Sequence, residues 1–338
     1  MPSAPLLTPE LLGKPAQHSA RVVAAEHLRQ VSAQLDAVMS DASLGVHDLR
    51  VALRRLRSWL RAFRPELDDT VRKKTRRRAA KVAHATNEPR DIEATLEWIA
   101  KQNEFSARER TGVRWFVERL SREHAAANAD TRKLLTRRLP KTIATLSNQL
   151  DRYQMRCSVD EPATSLTMAQ VTRETLAAHA DRFARAVDRV ESQDDATRIH
   201  RVRIAAKRLR YVLEAIDDAS ATSLVERLTT LQDVLGASHD MHGIVHRIVQ
   251  ELGKVGARDA RLAALRAMHA DEDTDERPRL ATLRPGLIAL ATRARANERE
   301  TYGSFRDEWS DERVTSAVTS AVAQIKALGD DLVSRHDT

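Results

Sequence analysis

A single cysteine, Cys157, stands among 338 residues. One cysteine cannot close an intramolecular disulfide, so a reducing compartment is expected. Aromatic residues make up only 4% of the chain, which leaves few rings for stacking on bases. Glycine and proline number ten each, and turn residues are too scarce for a strand-rich chain with many reversals. No glycine-rich loop of the GxxxxGK(S/T) kind occurs, which excludes a nucleotide-triphosphate site of that type. No apolar run is long enough to span a membrane. The opening MPSAPLLTPELLGKP lacks a basic stretch followed by a long apolar core, so no signal peptide is expected and the cytoplasm is the expected location.

What fills the chain instead is Ala, Leu, Arg and Glu, a mixture that favours helices. Hydrophobic residues reach 42%, enough for a globular core. Residues 1–17 carry four prolines and read as a flexible lead-in. The periodicity then predicts helices over 18–40, 45–64, 70–87, 90–103, 106–128 and 131–154. The turn-rich CSVDEPATSLT, 157–167, reads as a linker. Helices follow over 167–191, 196–218, 221–236, 239–253, 256–271, 284–308 and 311–334, with a solvated acidic loop at 271–276. The expected fold class is all-α.

The charge is uneven. The whole chain has a formal net charge of +8. Residues 46–90 hold fourteen Lys and Arg against five Asp and Glu, a local +9 that exceeds the excess of the entire chain. Concentration of this kind points to a polyanionic partner.

The same segment opens a repeat. VHDLRVALRRLRSWLRAF at 46–63 is echoed by IHRVRIAAKRLRYVLEAI at 199–216, with the shared pattern His-x2-Arg-x3-(Arg/Lys)-x2-Arg. On a helix at 100° per residue, His47, Arg50, Arg54, Arg57 and Arg61 fall within an arc of about 80°, and Leu49, Leu53, Leu56, Leu60 and Phe63 fall opposite. His200, Arg203, Lys207 and Arg210 form the second stripe in the same way. Exposed helical faces usually alternate charge at i,i+4 spacing, whereas like charges so spaced repel. Two such stripes therefore suggest a compensating anion. The first runs about 21 Å, a better match to a long polyanion than to a mononucleotide. Arginine offers planar forks to phosphate oxygens, lysine a point charge, and histidine a donor whose charge follows pH.

The copies differ at one end, where Glu214 occupies the position of Arg61, so an internal ion pair is expected there. A second echo aligns NEPRDIEATLEWI (87–99) with GASHDMHGIVHRI (236–248), pairing Asp91 with Asp240 and Arg90 with His239. The halves are expected to form helical repeats over 18–156 and 168–309, followed by a C-terminal helix over 310–338 that would cap the second bundle or dimerise.

These doubled motifs, with PRDIEATLEWI and LQDVLGASHD downstream, resemble the two halves of a CHAD domain, the conserved histidine α-helical domain, over roughly 18–308. The resemblance implies two four-helix bundles related by a pseudo-twofold. It implies binding of inorganic polyphosphate through a basic channel or surface between them, with association to polyphosphate granules. His47, Arg50, Arg54, Arg57, His200, Arg203, Lys207 and Arg210 would form the phosphate-binding set, with Arg61 extending it. Further candidate contacts are Arg55, Lys74, Arg77, Arg78, Lys81, Arg90, Arg208 and His239; Lys74, Arg77, Arg78 and Lys81 are expected to share one side of their helix. The triphosphatase domain that often accompanies this family carries an ExExK tract, and none occurs here, so hydrolysis does not carry over. The expectation is a binding protein with no catalytic residues and no cofactor.

Two other classes compete. A nucleic-acid- or ribosome-associated binder is compatible with the charge but lacks a helix-turn-helix signature. A metal-dependent phosphohydrolase would need a metal site, for which His239, His242 and His246 are a weak candidate on one helical face. Trp59, Trp98, Trp115 and Trp309 are expected to anchor the core.

Overall fold

The computed structural model describes residues 6–40, 46–154, 166–191, 195–268, 279–309 and 312–336. Among them lie twelve helices: α1 (Pro9–Gly13), α2 (Ala16–Ser40), α3 (His47–Ala62), α4 (Arg64–Leu67), α5 (Lys73–Ala85), α6 (Asn87–Ala100), α7 (Ala107–Gln154), α8 (Met168–Val187), α9 (Ala196–Leu213), α10 (Ala219–Met268), α11 (Leu280–Trp309) and α12 (Glu312–Ser334). Among the described residues no strand forms; there are two isolated bridges, Leu7 with Ile216 and Pro15 with Thr167. The all-α expectation holds. The linker expected at 157–167 lies outside the described residues except for Leu166 and Thr167, and so does the acidic loop at 271–276.

Two expectations need correction. The helices predicted over 106–128 and 131–154 are one helix, α7, and those predicted over 221–236, 239–253 and 256–271 are one helix, α10. Interior glycines such as Gly236, Gly243 and Gly253 each weaken a helix by only about 1 kcal/mol, and the buried positions continue on both sides of them. Residues 6–17 are not a flexible lead. Leu7 and Leu12 are buried, Thr8 caps α1, and the Leu6 and Leu7 amides donate to the Ala215 carbonyl at 3.0 and 2.6 Å. The chain is then held beside α8, where the Met168 amide donates to the Lys14 carbonyl at 2.9 Å.

The chain forms two compact units: Met1–Asn87 with Asp130–Asp233 and Phe305–Thr338, and Glu88–Ala129 with Val234–Ser304. Each takes helices from both halves of the sequence, so the units do not coincide with the ranges 18–156 and 168–309.

In the first unit α2 packs on α3, α8 on α9, and α3 on both α9 and α5. The apolar side of α3 supplies Leu49, Leu53, Leu56 and Leu60, and that of α9 supplies Val202, Ala206, Leu209 and Leu213, all buried. Trp59 is buried at 2% exposure and donates from Nε1 to the Ala20 carbonyl at 2.9 Å, tying α3 to α2. Phe63 lies against it with ring centroids 4.1 Å apart. α8 starts with a capping box, Thr167 with Gln170, and α9 is capped by Asp195, which accepts from the Arg198 amide at 2.9 Å. α12 packs on α8 through a face that includes Val318, Ile325, Leu328 and Leu332.

The second unit has its own core of Ile92, Phe116, Leu120, Ile244, Ile248, Leu287 and Leu290, with Trp98 and Trp115 packed against it. α7 and α11 approach closely at Gly112 and Gly286, where a methyl group on either residue would overlap the other helix's backbone.

Candidate functional site

The site lies within the first unit, where α3 meets α9. Both helices turn leucine-rich faces into the core, so their contact decides where the cations on their remaining faces lie. It brings the two stripes together around Lys207. Arg50 and Arg54 of α3, and Arg203 and Arg210 of α9, all bear on its ammonium group. Burial first, then these four arginines, push its pKa down to about 7. The four arginines bearing on one buried ammonium group show that positive charge is crowded here.

The crowding continues along both helices. Burial, then Arg203 and Lys207, push the His200 pKa below the ordinary histidine value. Burial, then Arg61 and Arg54, lower that of Arg57, with Tyr211 opposing. Burial, then Arg61, Arg182 and Arg57, lower that of Arg208. Among the described residues no ion pair links Arg54, Arg57, Arg61, Arg182, Lys207 or Arg208 to a carboxylate. The Nε atoms of Arg54 and Arg208 are buried without a hydrogen-bond partner. His47 is exposed at the start of α3.

One carboxylate does enter. Glu214 forms an ion pair with Arg210 on its own helix, Oε1 to Nε at 3.2 Å, and accepts a hydrogen bond from Arg55 Nε of α3 at 3.2 Å. The ion pair expected at the end of the second stripe is present, and it also clamps the two helices together. Arg210 is further held by Thr229 Oγ1 at 3.2 Å. Arg55 and Arg208 occupy matching sequence positions but have different neighbours: Arg55 faces Glu214, whereas Arg208 faces Arg61.

Two buried histidines stand behind the stripes. Burial, then Arg55, bring His27 to a pKa of about 4, with Gln30 and Glu26 opposing. Burial, then Arg182, Arg208 and Arg61, bring His179 to about 4. His27 also lies against Trp59, with ring centroids 5.9 Å apart.

The basic run at 72–78 divides between two sides of α5. Arg77, with Lys73 and Arg76, lines a groove of about 250 Å³ together with Arg57, Arg61 and Arg64 of α3 and α4. Arg76 and Arg64 share Asp68. Arg78 and Lys81 line a different groove, with α7. Arg77, Arg78 and Lys81 are all exposed; Arg77 lines the first groove and Arg78 and Lys81 the second, while Ala79 and Val82 turn into the core. Lys74 is exposed.

The remaining candidates lie in the second unit. Arg90 pairs along its own helix with Glu93 at 2.9 Å and Glu97 at 3.1 Å. His242 Nδ1 lies 3.3 Å from Glu298 Oε1, and His246 Nε2 lies 2.8 Å from Gln250 Nε2. The His239 side chain is outside the described residues. Among those described, no group of three or more His, Cys, Asp or Glu is placed to hold a metal ion.

Sequence reasoning missed Arg182 and Lys73. Arg182 follows the buried His179 by three residues, but its counterpart after His27 is Gln30, so the repeat gave no signal. Lys73 is one of seven residues in a run with five other cations, and only the packing of α5 distinguishes it.

The arrangement supplies guanidinium forks, an ammonium group and imidazoles along a line, which suits binding to successive oxyanions. No helix among the described residues is long and apolar enough to cross a membrane.

Comparison with solved structures gives the same fold. A CHAD domain from the plant Ricinus communis matches with a TM-score of 0.60 and 21% identity, covering 86% of this chain and 95% of that one. PptA from Streptomyces chartreusis matches with a TM-score of 0.60 and 16% identity, covering 88% of this chain and 100% of that one. No curated protein matches. The CHAD domain model matches residues 22–244, about two thirds of the sequence. With both motif helices inside that span, the chain belongs to the CHAD domain family.

Proposed function

We propose that this protein binds inorganic polyphosphate along the line where α3 and α9 meet, and that it acts as a binder rather than an enzyme. The observation that carries the reading is the convergence of both stripes on Lys207 beside Arg54, Arg57, Arg61, Arg182 and Arg208, which no carboxylate among the described residues neutralises. Burying unpaired charge costs several kcal/mol per ion unless an opposite charge arrives, and a regular polyanion supplies one at each position. Membership of a family known for polyphosphate binding supports the same ligand. Through such binding the protein would be recruited to polyphosphate granules.

A nucleic acid would satisfy the charge equally well. The rings nearest the stripes do not favour it: Trp59 and Phe63 are buried and Tyr211 is only 8% exposed, leaving no platform for stacking.

The test is binding of polyphosphate at two salt concentrations, with and without excess RNA. Affinity should fall steeply with salt, because each neutralised phosphate releases counterions. RNA should compete poorly. Arg54→Ala combined with Lys207→Ala should weaken polyphosphate binding at least about tenfold at fixed salt. Undiminished binding by this double variant, or displacement by RNA at equal charge, would overturn the reading. Phosphate release on adding Mg²⁺ or Mn²⁺ would overturn the non-enzymatic part.

A further inference from the structure

The groove on the far side of α5 is not part of the stripes. It has a volume of about 350 Å³ and is lined by Arg78 and Lys81 of α5 and by Arg138 and Lys141 of α7, over Val82, Leu134 and Thr142. All four cations are exposed, and among the described residues none of them is paired with a carboxylate. The supply of charge from α7 is one-sided: residues 131–150 contain five Lys and Arg and no Asp or Glu. A solvated helical face would ordinarily carry both signs. The groove is held in place where Thr131 Oγ1 donates to the Ala85 carbonyl at 3.0 Å, while Val82 and Leu135 are buried beneath it.

The two grooves share one wall. On its first side α5 offers Lys73, Arg76 and Arg77 beside Arg57 and Arg61, at the end of the stripe farthest from His47. On its other side it offers Arg78 and Lys81. A helix with its side chains is about 10–12 Å across. Lys74 is exposed, and at 100° per residue it falls between Arg77 of the first groove and Arg78 of the second, so cations continue from one groove to the next. A short anion would fill the stripe alone, whereas a long flexible polyanion would leave the stripe at Arg61, cross α5 and settle in the second groove.

We infer that the α5–α7 groove, through Arg138 and Lys141 together with Arg78 and Lys81, is a second anion site. It takes the overhanging part of a polyphosphate chain and makes the protein select for long chains. This rests on the polyphosphate reading above, and the test separates the two. The full-length protein and its Arg138→Ser/Lys141→Ser variant are titrated with two ligands: an oligophosphate no longer than the stripe, about 21 Å, and a long polyphosphate. Both substituted residues are exposed, so the fold should be kept; an unchanged Tm checks this. The variant should bind the short ligand as the unaltered protein does. It should bind the long ligand about tenfold more weakly, with a salt dependence reduced by about two units of slope. The Arg54→Ala/Lys207→Ala variant should lose both ligands. Equal affinity of the two proteins for the long chain overturns the second site while leaving the stripe intact. Failure of the unaltered protein to bind either ligand overturns both readings. A variant that loses affinity for RNA but not for long polyphosphate would assign the groove to nucleic acid instead.

Discussion

Arg55 and Glu214 meet at 3.2 Å across the contact between α3 and α9, although 159 residues separate them in the chain. At the other end of the same contact the matching pair is Arg208 with Arg61, two cations whose proximity lowers the Arg208 pKa. One substitution in the repeated motif, Glu214 for arginine, therefore closes one end of the site with an ion pair and leaves the other end open to an anion.

Glu214→Gln removes the closing charge while keeping the shape. It should leave Arg55 and Arg210 free for phosphate, raising polyphosphate affinity several-fold. Both partners of the pair are less than one fifth exposed, so the folded protein should lose about 1–2 kcal/mol of stability. The reciprocal change, Arg61→Glu, should pair with Arg208, raise Tm and weaken binding. Thermal melts and polyphosphate titrations check both; affinity that moves in the same direction for the two variants would disprove the asymmetry.

Lys207 links binding to protons. With a pKa of about 7 in the free protein, much of it is neutral at pH 8, and a bound phosphate chain would restore its charge. Polyphosphate binding should then take up about one proton at pH 8, and affinity should weaken as pH rises from 7 to 9. Calorimetry in buffers of different ionisation enthalpy measures the uptake. Lys207→Arg should keep binding and abolish the uptake, because arginine stays charged throughout. A heat of binding independent of the buffer in the unaltered protein would contradict the assignment.

His27 and His179 set the response to acid. Both are buried as neutral rings with pKa values of about 4, against about 6.5 in an unfolded chain. Between those values the unfolded chain binds more protons, so stability should fall as pH drops from 6.5 to 4, by about 2–3 kcal/mol per histidine. Above pH 7 these two rings should contribute no slope. The double variant His27→Gln/His179→Gln should flatten the fall in denaturant-unfolding measurements across that window. An unchanged pH profile would show that neither ring is buried as described.

His200 gives a ligand-dependent counterpart. Its pKa lies below the ordinary histidine value, so any tightening of polyphosphate binding through its protonation should begin below about pH 6.5. Binding measured with His200→Asn should lose that part of the acid response and keep the part due to Lys207.

Much of this was legible in the sequence. The helical class followed from composition and period, and the separation of cations from leucines followed from helical phase alone. Both are local properties, fixed by the 100° step between successive residues. The ion pair at the end of the second stripe was also legible, since Arg210 and Glu214 are one turn apart. What the sequence left open was long-range. The unity of α7 and α10 depends on burial that continues past their interior glycines. Which groove each cation of α5 lines depends on the neighbours of α5, with α3 and α4 on one side and α7 on the other. The ordering of residues 6–17 depends on the Ala215 carbonyl and its neighbours, some two hundred positions away. The second partner of Glu214, and the meeting of two cationic stripes at Lys207, required α3 and α9 to pack on each other. The amino-acid order determined that each motif helix has a charged side and a buried side; only tertiary packing decided which charges face one another, because charge–charge energies depend on distances in space and on burial, and neither is set by spacing along the chain.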